Sequence, residues 1–146
     1  MAEFLEHYGE KDERKSRLIK RVIGGVLLVL IVAGGLFFLF HNRKQKERVT
    51  GFVELLRKKQ YTEAYALWGC TEAAPCRNYA YDKFLEDWGP KSKYAEVGEF
   101  AITRARSCGS GVIVYVSFGR SGEEILWVDG PQMIVGFSPW PSCPGN

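Results

Sequence analysis

The chain has 146 residues, room for one ordinary domain and a short appendage, and its composition (46% hydrophobic, 25% charged) is that of a globular protein. Its formal net charge is only +3, and the stretch from Val49 onward holds ten basic against eleven acidic residues. That balance excludes a charge-driven nucleic-acid role.

In chain order, residues 1–21 are a polar segment with six Lys/Arg and five Asp/Glu. Residues 22–40, VIGGVLLVLIVAGGLFFLF, contain no charge. As a helix they reach about 28 Å, close to the hydrocarbon thickness of a bilayer. A core helix of a small soluble domain is not apolar on every face. A cleaved signal peptide fits poorly, because the polar segment before the run is long and no A-x-A site follows it. The expectation is an uncleaved single-pass transmembrane helix. Gly24 and Gly35 lie eleven residues apart, three helical turns, with Gly25 and Gly34 beside them. They predict a small-residue face for another helix, although no strict G-x-x-x-G occurs.

Residues 41–48 form a basic connector. Lys20 and Arg21 before the run, and Arg43 and Lys44 after it, are placed to meet lipid headgroups. The positive excess before the run favours a cytoplasmic N-terminus by two charges. All four cysteines, Cys70, Cys76, Cys108 and Cys143, lie beyond the run. An even number there suits disulfides in an oxidising compartment, so the expected location is a bacterial inner (cytoplasmic) membrane with residues 49–146 in the periplasm. Three pairings are open; Cys70–Cys76 with Cys108–Cys143 is preferred.

Residues 50–59 predict an amphipathic helix, with Phe52, Val53, Leu55 and Leu56 as its stripe and basic residues in its last turn. Residues 62–68 predict a second short helix, 69–79 a loop, and 81–88 a third helix stopped by Gly89 and Pro90. The period then becomes two. Strands are expected at 94–106, 112–118, 123–128 and 132–137, with Asp129-Gly130 as a hairpin signal. Three helices and then an antiparallel meander make an α+β domain.

The stretch FVELLRKKQYTEAYALW, then YDKFLEDWG, then the meander, resembles the nuclear-transport-factor-2-like superfamily, above all its small membrane-anchored bacterial domains. Residues 60–67 and 84–89 stand at the family's helix-start and F-x-x-x-W-G positions, and the resemblance covers about residues 49–137. It implies a cone-like arrangement of three helices on a curved four-stranded sheet, with a pocket between them. Enzymes of that superfamily place His, Asp or Tyr in the pocket. The two histidines here are His7, in the N-terminal segment, and His41, at the membrane edge.

No chemistry-bearing motif competes. The cysteine spacing lacks the C-x-x-C pairs of zinc or redox sites, and C-x-x-C-H haem attachment is absent. His41 without a partner motif reads as solvated rather than as a haem or chlorin ligand. Asp82, Glu86 and Asp87, with Glu96 and Glu99 further on, read as a solvated face rather than an acid–base pair. Trp68, Trp88 and Trp127 read as core, whereas Trp140, between two prolines, reads as an exposed anchor for a partner or the membrane interface. No cofactor or metal is expected. The expected function is a non-catalytic, single-span accessory subunit of a larger membrane complex, for instance an electron-transfer or photosynthetic one, with other membrane subunits as partners. The alternative is an anchored module holding a small apolar ligand or lipid in its pocket.

Overall fold

The computed structural model describes residues 2–145, and in the first helix the side chains only from Lys15 to Phe37 and at Phe40. His7 and the other side chains before Lys15 lie outside the described residues. The chain divides into two compact units, residues 1–41 and 42–146.

The first unit is one helix, α1 (Ala2–Phe40). Its backbone is continuous from the polar segment into the apolar run. A stretch of 23 residues, Lys15–Phe37, is long and apolar enough to cross a membrane, with a mean hydropathy of 2.1 and none of it buried.

The second unit is α+β. Asn42 takes a left-handed conformation (φ 62°), one that Asn tolerates better than most residues, and α2 (Arg43–Arg57) starts after it. α3 (Tyr61–Ala66) and α4 (Tyr81–Trp88) follow. Most of the basic connector is thus the first turns of α2. Arg43, Lys44, Gln45, Lys46 and Glu47 are good helix formers, and Arg43 pairs with Glu47 one turn on, at 2.7 Å.

The strands are β1 (Ala101–Cys108), β2 (Gly111–Ser117), β3 (Glu123–Asp129) and β4 (Val135–Phe137). They form one antiparallel sheet in the order β1-β2-β3-β4. β1 starts seven residues later than the alternation suggests. Ser92 explains the delay: its hydroxyl donates to the Gly89 carbonyl and accepts the Tyr94 N–H, so local side-chain bonds hold this segment in turns.

The inner sheet face is Val112, Val114, Val116, Leu126, Val128 and Val135, all buried. α2 packs on β2 and β3 through this face; α3 packs on α2, and α4 on α3. The helices thus form a chain of contacts in which α2 is the one laid along the sheet. Phe52, Trp68, Phe84 and Trp88 fill the interior. The Trp88 ring stacks on Tyr94 and Phe137, with centroids 4.9 and 5.8 Å away, and meets Phe52 edge-on at 5.1 Å.

Candidate functional site

The two bridges are Cys70–Cys76 and Cys108–Cys143. The first closes the loop after α3. Inside it the Cys76 N–H donates to the Tyr65 hydroxyl, and that hydroxyl donates to the Tyr79 carbonyl. The second ties the C-terminal tail to the end of β1.

That tail returns across the outer face of the sheet. The Ser138 N–H donates to the Ile125 carbonyl, and the Tyr115 hydroxyl donates to the Pro141 carbonyl at 2.6 Å. Trp140 is 41% exposed, yet its ring meets Trp127 edge to face at 5.9 Å. It is a displayed ring on a fixed support and not a loose one. Beneath the tail Ile113 is fully buried. Gly111 leaves room for the Trp127 ring, because a Cβ there would collide with that ring and with the Val128 carbonyl. Sequence reasoning singled out Trp140 but missed Trp127, Tyr115 and Gly111 as its support. The available signal was β2 itself, apolar or aromatic on both faces, which asks for cover on both.

Gly24, Gly25, Gly34 and Gly35 leave open space on α1, with nothing within 4 Å of where a Cβ would stand. Lys20, Arg21, Arg43 and Lys44 are exposed. The His41 ring lies 5.2 Å from that of Phe37, four residues earlier in the last turn of α1.

The acidic group divides. Glu86 pairs with Lys83, and Asp87 accepts the Tyr79 hydroxyl at 2.8 Å. Burial pushes the Tyr79 phenol far above its ordinary value, and the Asp87 carboxylate adds to the shift. Burial also raises Tyr94, whose hydroxyl donates to Glu124 at 2.6 Å. Both phenols are therefore held protonated as donors, the opposite of what a general base needs. Glu99 lines an open groove of about 480 Å³ with Arg57, Phe100 and Ser117, away from Asp82, Glu86 and Asp87. Among the described residues no three His, Cys, Asp or Glu converge as a metal site.

No family model, curated protein or solved structure matches this chain.

Proposed function

We propose that the chain is a single-pass protein of a bacterial inner membrane. Its N-terminus is cytoplasmic, and its disulfide-bonded domain, of the nuclear-transport-factor-2-like kind, faces the periplasm. It serves as a non-catalytic accessory subunit of a larger membrane complex.

One observation carries the reading. The large apolar side chains of α1 from Leu18 to Leu36, and Phe37 after them, are each between 49% and 71% exposed. A soluble protein does not leave a contiguous apolar surface of that length in water, and lipid or other helices are its natural cover. The open glycines supply a place where a second helix approaches closely. Two disulfides favour an oxidising compartment for the domain.

The ligand-pocket alternative has less support. The space between α2 and the inner sheet face is filled by Phe52, Trp68, Phe84 and Trp88 and not left for a guest. The test is a double substitution, Gly24→Leu with Gly35→Leu, which keeps the run apolar but blocks close approach. The expected result is a chain that still inserts and no longer co-purifies with its membrane partners. Unchanged co-purification would remove the glycine face from the account.

A further inference from the structure

The C-terminal tail is the part of the domain with the lightest hold. Among the described residues none after Phe137 belongs to the buried core. Pro139, Trp140, Pro141, Ser142 and Pro144 are exposed. The tail meets the sheet through two hydrogen bonds, from the Ser138 N–H to the Ile125 carbonyl at 3.0 Å and from the Tyr115 hydroxyl to the Pro141 carbonyl at 2.6 Å, and through the edge contact of Trp140 with Trp127. Its remaining hold is the covalent one, Cys143 to Cys108.

What it covers is apolar. The register sets Ile113 opposite Trp127 and Tyr115 opposite Ile125, so the four share the outer face of β2 and β3. Ile113 is fully buried there and the other three are partly buried. A strip of that kind is unfavourable to leave in water, and cover over it is a gain that opening would forfeit. The other bridge is placed differently. Around Cys70–Cys76 the loop keeps the Cys76 N–H on the Tyr65 hydroxyl, that hydroxyl on the Tyr79 carbonyl, and the Tyr79 ring stacked on Trp68 at 4.8 Å. Those contacts hold the loop whether or not its bond is closed.

We propose that the tail is a redox-released strap: with Cys108–Cys143 closed it covers the strip of Ile113, Tyr115, Ile125 and Trp127, and with that bond reduced it leaves the strip open while the core stays folded. Cys143 is the point of entry. It lies between exposed Ser142 and Pro144, whereas Cys108 is 5% exposed. A thiolate of a dithiol attacks the Cys143 Sγ and displaces the Cys108 thiolate, and its second thiol then displaces the Cys143 thiolate. The dithiol ends as a cyclic disulfide, two electrons pass to the protein, and its two protons end on Cys108 and Cys143. Opening lowers the stability of the domain without removing any of its core, which makes the strap a two-state element set by thiol chemistry.

The full chain in lipid nanodiscs is treated with dithiothreitol, its free thiols are alkylated, the reductant is removed, and side-chain exposure is read by hydroxyl-radical footprinting. The expected result is that Cys108 and Cys143 are alkylated without denaturant and that oxidation of Tyr115 and Trp127 rises severalfold, with Phe52 and Trp88 unchanged. Cys108→Ser with Cys143→Ser should show the same open strip with no reductant. Cys70→Ser with Cys76→Ser should keep the strip covered until reductant is added. Tyr115 and Trp127 still protected in chains alkylated at Cys108 and Cys143 overturn the proposal, because the tail then stays seated without its bond. Phe52 and Trp88 oxidised along with them equally overturn it, because the bond then holds the whole domain. So does alkylation of Cys108 and Cys143 that needs urea. No membrane partner takes part, so each of these failures leaves the accessory-subunit reading where it stands.

Discussion

The Tyr65 hydroxyl ties α3 to the loop that follows it: it donates to the Tyr79 carbonyl at 2.6 Å and accepts the Cys76 N–H at 3.1 Å. Tyr65 is fully buried on α3, so both partners lose their cover if it goes. Tyr65→Phe keeps the ring and leaves two polar backbone groups short of a partner. The expected cost is about 1–3 kcal/mol, measured as a shift in the urea unfolding midpoint. A midpoint unchanged from wild type would show that the loop is held by its disulfide alone.

Gly111 is needed for the room it leaves. Gly111→Ala drives a methyl into the Trp127 ring and the Val128 carbonyl, neither of which is the far end of a flexible chain. The expected penalty is about 1–3 kcal/mol, as for other overpacked sites. Trp127→Leu in the same background should recover the ring's share of it and leave the share of the Val128 carbonyl, and a double-mutant cycle measures the two.

The two bridges should differ in weight. Cys108–Cys143 closes a separation of 35 residues and Cys70–Cys76 one of 6. In the chain-entropy picture these are worth about 4 and about 2 kcal/mol. Thermal unfolding of the two paired Cys→Ser variants should rank them in that order. The reverse order would mean that the tail does little to hold the sheet.

Alkaline pH should loosen the domain. In the folded state the Tyr79 and Tyr94 phenols titrate above their ordinary value of 10.0. The unfolded chain therefore gives up these protons first, and the folded state binds more of them. Their contribution is complete below pH 10 and is lost as pH rises beyond it. The urea midpoint should fall across that range, and Tyr79→Phe should flatten the fall. A slope indifferent to Tyr79 would show that its burial is not what couples stability to pH.

Local signals explain what was legible beforehand. The stop at Gly89-Pro90 marks the end of α4, and the alternation from Val112 to Phe118 marks β2, because each is written in neighbouring residues. The period of two places Tyr94 at the start of a strand, but its ring stacks on Trp88 and its hydroxyl reaches Glu124 thirty residues away. The tail over the sheet was illegible for the same reason. Trp140 meets Trp127 and Pro141 meets Tyr115 through pairings between distant segments, and no local period encodes them. The prolines around Trp140 said that it lies outside the ladder, but not that it lies against it.

The central claim concerns company. Tagged chain is extracted from its native membrane in a mild detergent and its mass is measured intact. The account predicts a large particle holding this chain in fixed ratio with other membrane subunits, which separates into free chain after Gly24→Leu with Gly35→Leu. A single small species, one chain in its micelle under every mild detergent tried, would contradict it.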